Sequence, residues 1–89
     1  MPLVSSFFGV QIHMDNLDTR RQQTAHIHVR YADERGVFGI ASAEPLESDL
    51  SRRPLRLVPG WIEIHRGELM TNWALASAGK PVFDIDPLR

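Results

Sequence analysis

Apolar residues in this chain recur at every second position up to Ile40 and at helical spacing from Leu55 onward. That change of period constrains the fold more than any other feature. Phe8, Val10, Ile12 and Met14 alternate with Gly9, Gln11 and His13. Ile27, Val29 and Tyr31 alternate with His26, His28 and Arg30, and Phe38 and Ile40 with Val37, Gly39 and Ala41. Successive side chains of an extended chain point to opposite faces, so each stretch reads as a half-buried strand. Leu55, Val58, Ile62, Leu69, Trp73 and Ala76 instead make one helical stripe, widened sideways by Leu57, Trp61 and Ile64.

The order predicts an α+β fold: a three- to four-stranded antiparallel meander, then a kinked helix or helical hairpin packed on one sheet face. Strands are expected at about 7–14, 26–31 and 36–41, with a short one at 44–46 that Pro45 confines to an edge. A turn over Ala32–Gly36 would use Gly36 for a positive φ. The helical region is expected over about 51–78, capped by Asp49 or Ser51 and stopped by Gly79 with Pro81. Pro59-Gly60 predicts a kink near Leu55–Pro59, because proline removes a donor and crowds the carbonyl four residues back. Arg66-Gly67 offers a second interruption. Residues 80–89 carry Val82, Phe83 and Ile85 and read as an extended arm, completing one domain over 1–89.

An 89-residue chain builds only a marginal core. The stripe is wider than one helix needs to cover such a sheet, so Leu57, Trp61 and Ile64 are candidate partner-binding residues, in a homodimer or against another protein. The net charge of −1 supplies no overall basic field for nucleic acid or membranes. No apolar run approaches the ~20 residues of a membrane span, and the first residues lack the pattern of a signal peptide. The absence of cysteine excludes disulfides and thiolate chemistry and fits a cytoplasmic location.

Chemistry concentrates on the polar side of 26–31. If the first two strands pair antiparallel, Gln11 and His13 share a face with His26, His28 and Arg30, and the small residues Val37, Gly39 and Ala41 beside them leave room for a ligand. Three readings stay open. The trio His26, His28 and Arg30 could cleave RNA through its 2′-hydroxyl, with imidazoles moving protons and the guanidinium holding phosphate. His26, His28 and His13 could bind a transition metal, since His-x-His on a strand aims both rings one way; otherwise the chain needs no cofactor. In the third, the histidines hydrogen-bond along a half-exposed sheet and Arg30 pairs with Glu34 or Asp33. Elsewhere, His65 reads as a satisfied buried group. Arg52 and Arg53 oppose the helix dipole, an effect that Glu47 and Asp49 could offset or that could mark a phosphate contact. The polar connection from Asp15 to Thr24 reads as a mobile loop with a basic spot at Arg20 and Arg21.

The whole pattern resembles a small bacterial family known as domain of unknown function 4160. The resemblance is carried by Phe8-Gly9-Val10, His26-Ile27-His28-Val29-Arg30-Tyr31, Leu46-Glu47-Ser48-Asp49-Leu50 and Arg52-Arg53. It continues through Leu55-Arg56-Leu57-Val58, Trp61-Ile62-Glu63-Ile64-His65-Arg66, Asn72-Trp73, Ala78-Gly79-Lys80-Pro81 and Asp86-Pro87-Leu88. Members typically carry two prolines before the first histidine and an aromatic after it; here Thr24-Ala25 and Ile27 stand there. The resemblance implies strands first and helices after. It also implies a gene neighbour of the domain of unknown function 2442 type, in pairs suggested to be toxin–antitoxin modules. The function expected is therefore that of a small interaction protein in such a two-gene module. The alternatives are a ribonuclease-like toxin and a metal-binding regulatory protein.

Overall fold

A computed structural model describes residues 2–14 and 24–88. Five strands, β1 (Leu3–Phe7), β2 (Val10–His13), β3 (His26–Tyr31), β4 (Glu34–Gly39) and β5 (Pro45–Ser48), form one sheet in chain order. Every neighbouring pair is antiparallel. The architecture is α+β, as the change of period predicts, but the sheet exceeds the expected four strands. The stretch read as one strand over 7–14 is a hairpin. Phe8 and Gly9 have φ of 48 and 81, and Phe7 pairs with Val10 across them. Positive φ at both central residues gives the turn whose twist matches the flanking strands. Asparagine or glycine usually fills the first of these positions. An apolar residue there extends the alternation and hides the turn.

β3 and β4 join through Ala32-Asp33, with Ala32 at φ 53. Gly36 is not in that turn but inside β4, where an added Cβ would meet Leu50 Cδ1 at 2.7 Å. Its missing side chain makes room for Leu50, which is buried. β5 lies at the edge with all four residues exposed, as Pro45 requires.

Helix α1 spans Arg52–Ile64 and α2 spans Arg66–Ser77. α1 continues through Pro59-Gly60 without a break, and the interruption falls at His65. An interior proline costs about 3 kcal/mol. Val58, Trp61 and Ile62 around it are all fully buried, and each such side chain contributes about 1.5–3 kcal/mol, enough to hold the phase. A one-residue join also leaves no room for a helical hairpin, which needs a loop of at least two residues. His65 Nδ1 lies 2.7 Å from Glu68 Oε1, at the start of α2.

One apolar core lies between the sheet and the helices. Val10, Ile12, Ile27, Val29 and Phe38 supply the sheet side, and Val58, Trp61, Ile62, Leu69 and Ala76 the helical side. Gly79, at φ 73, ends α2, and the chain continues without regular structure to Leu88. The buried Asn72 amide holds this arm: it donates to the Phe83 carbonyl at 2.9 Å and accepts from the Phe83 N–H at 3.0 Å. The Ile85 N–H donates to the Val4 carbonyl at 2.8 Å. Trp61 Nε1 donates to the Asp86 carbonyl at 2.9 Å. Trp61 is thus a core residue sealed under the arm and not part of an accessible partner face. Ile64 is 67% exposed and Leu57 only half-buried, so the three candidate partner residues do not form one surface. Among the described residues no helix is long and apolar enough to cross a membrane.

Candidate functional site

The face of the sheet opposite the helices carries the polar residues, and register fixes their neighbours. Gln11 pairs with Arg30 and Arg30 with Arg35, making one row across β2, β3 and β4. His13 pairs with His28, His28 with Val37, and Val37 with Glu47, making the next row through β5. Directly opposed side chains on antiparallel strands share a face, with Cβ atoms about 5 Å apart. The two rows line an open cleft of about 540 Å³, bounded by His13, His28, Arg30, Arg35 and Glu47. His13 Nε2 lies 3.4 Å from Gln11 Oε1.

His26 departs from the sequence expectation. Strand parity puts it beside His28, yet it is only 1% exposed and does not line the cleft. Its Nδ1–H donates to the Thr24 carbonyl at 2.8 Å. Its ring centroid lies 4.9 Å from that of Trp73 on α2 and 5.3 Å from that of His28, at 72° to the latter ring. α2 reaches this end of the sheet, where Arg66 Nε also donates to the Ile40 carbonyl at 3.1 Å. His26 therefore stands behind His28 as a support. The trio His26, His28 and Arg30 is not presented together, and the open group is His13, His28, Arg30 and Arg35.

Of the small residues, Val37 lines the cleft as expected, but Gly39 leaves no space. Gly39 is covered by the turn that follows β4: an added Cβ would meet Ser42 Oγ at 2.7 Å and Leu46 Cδ2 at 3.8 Å. The Gly39 N–H donates to the Glu44 carbonyl, and Ala43 at φ 58 closes the turn. The cleft is instead displaced toward the arginines.

Glu34 does not pair with Arg30. Its Oε1 accepts from the Ser51 N–H at 2.9 Å and from Ser51 Oγ at 2.8 Å. Ser51 is the N-cap of α1 but makes no side-chain cap bond into it, so Glu34 supplies the negative group at that helix end. Among the described residues neither Arg30 nor Arg35 makes an ion pair or side-chain hydrogen bond. Arg35 escaped the sequence reading because it follows a turn and belongs to no alternating run; the cross-strand register is the signal that finds it. No group of three metal-binding side chains occurs among the described residues. Arg20, Arg21 and the rest of the expected loop at 15–23 lie outside them.

The sequence model of the family described as "Domain of unknown function (DUF4160)" matches residues 9–74, which include both rows of the cleft. No curated protein and no solved structure matches the chain.

Proposed function

Because the chain belongs to the DUF4160 family, whose description assigns no activity, we propose a function from the open face: the protein is a small binding module that holds a phosphate-bearing partner across β2, β3 and β4. The opposed Arg30–Arg35 pair carries this reading. Like charges directly opposite each other destabilise a sheet. An oxyanion between the two guanidiniums replaces that repulsion with two charge-assisted contacts of matching planar geometry. His28 stands in the adjacent row, with His26 and Trp73 behind it, and can add a donor when protonated.

Titration of isotope-labelled protein with pyrophosphate tests the reading. Amide shifts should gather at His28, Arg30 and Arg35, and Arg30→Gln with Arg35→Gln should abolish them. Absent shifts at these three residues, or shifts at His28 that survive both substitutions, would overturn it.

A second reading, RNA cleavage, is supported by the His13–His28 register pair, which sets two imidazoles opposite each other beside Arg30. It differs from the binding reading by release of shortened RNA, lost in His28→Ala. Membership of a two-gene, toxin–antitoxin-like module rests on the family resemblance. Co-purification with the neighbouring gene's product tests it, and clean separation at micromolar concentration counts against it.

A further inference from the structure

A second groove, of about 580 Å³, is lined by Phe8, Arg52, Arg53, Arg56 and Leu57. Phe8 is 53% exposed on a turn where its φ of 48 suits glycine or asparagine, so a large ring is held out to solvent at a strained position. Arg52, Arg53 and Arg56 make no ion pair or side-chain hydrogen bond among the described residues. The first turn of α1 contains no acid, so these cations stand at the helix end that disfavours them.

One contact ties the lining of this groove to that of the open-face cleft. Glu34 binds Ser51, which pins the β3–β4 turn to the start of α1. Arg35 follows Glu34 and Arg52 follows Ser51, so the two arginine groups flank one joint. Among the described residues, the acids close in sequence to this joint are Asp33, Glu34, Glu47 and Asp49. Glu34 is engaged by Ser51, Asp33 is in the turn, and Glu47 and Asp49 border the cleft on its β5 side.

We propose that the phosphate-bearing partner is a single-stranded nucleic acid, and that one of its bases stacks on Phe8 while Arg52, Arg53 and Arg56 hold the neighbouring phosphates. This rests on the open-face reading for the first phosphate contact. Guanidiniums alone would accept any polyanion. The exposed ring beside them selects bases, because every base offers a flat face and such stacking tolerates any sequence. With a net charge of −1 the protein gains little long-range attraction, so binding is local and falls steeply with salt.

Fluorescence anisotropy at low salt tests the proposal with three labelled probes: a short single-stranded RNA, an abasic strand of equal length, and poly-glutamate. RNA should bind more tightly than the abasic strand, and poly-glutamate more weakly than both. Phe8→Asn keeps a residue suited to the turn. It should weaken RNA binding about 5- to 150-fold, the range of one base–aromatic stack, and leave the abasic strand unchanged. Arg52→Gln with Arg56→Gln should weaken both nucleic probes. Circular dichroism of Phe8→Asn controls for folding. Equal binding of RNA and abasic strand, or no effect of Phe8→Asn, overturns the stacking site. If Arg30→Gln then still abolishes abasic binding, the open-face reading survives alone. If poly-glutamate binds as tightly as RNA and depends on Phe8, the partner is a protein and the proposal falls.

Discussion

Replacing Arg30 by glutamate should make the protein more stable while removing its proposed anion site. Arg30 stands between Gln11 and Arg35 on neighbouring strands. Gln11 is neutral, so the electrostatic effect of the change comes mainly from Arg35. A like-charged cross-strand pair destabilises by roughly 0.2–1 kcal/mol and an opposite pair stabilises by a similar amount. Reversing the sign at Arg30 therefore spans about 0.4–2 kcal/mol. Both side chains are exposed, and solvent screening favours the lower half, about 0.4–1 kcal/mol. For a domain of this size each kcal/mol moves Tm by about 4–8 °C, so Arg30→Glu should melt roughly 2–8 °C higher. Arg30→Gln, which removes repulsion without adding attraction, should gain about half as much. The assay is thermal unfolding followed by far-ultraviolet circular dichroism, at low salt and at about 1 M salt, where the screening length falls to about 3 Å. There the advantage of the glutamate variant should nearly vanish. A glutamate variant no more stable than the glutamine variant, or a gain indifferent to salt, would refute the reasoning.

Two further substitutions probe the scaffold. Asn72→Ala removes both hydrogen bonds to the Phe83 backbone and leaves two polar groups of the arm without their partner; stability should fall by about 2–4 kcal/mol, read from the urea midpoint, with earlier proteolysis of the arm. Gly60→Ala meets nothing within 4 Å of the new Cβ, so it should raise stability by about 0.5–1 kcal/mol, seen as an upward shift in Tm.

The sheet-then-helix order was legible because burial imposes a period on the sequence. Ile27, Val29 and Phe38 had to face one way, and Val58, Ile62 and Leu69 had to form a stripe. That Gln11 and His13 share a face with Arg30 and His28 followed from the same parity, though which residues pair needed the register. What parity could not show was depth. His26 shares the parity of His28 but is enclosed because Trp73, from a distant helix, closes on it. Trp61 widened the stripe and so looked available, but the arm supplies Asp86 as its hydrogen-bond partner and covers it. Phe8 looked like core because hydrophobicity does not report φ. The arginine pair needed the β3–β4 register, which a two-residue turn without glycine sets and composition conceals.

The two outer strands of the sheet have a bearing on how the molecule behaves in company. Exposed strand edges are templates for adding another chain, and they are the usual route from a soluble sheet to a fibre. Here one edge, β1, carries a register shift between Leu3 and Ser5 and has the Val4 carbonyl taken by Ile85 of the arm. The other, β5, is four residues long, lacks a donor at Pro45 and presents Glu47. Neither margin offers a long flat ladder to a second copy. A sheet defended in this way can leave one face bare without recruiting itself into an aggregate. That freedom makes a face left open by the described residues tolerable in a chain of this size.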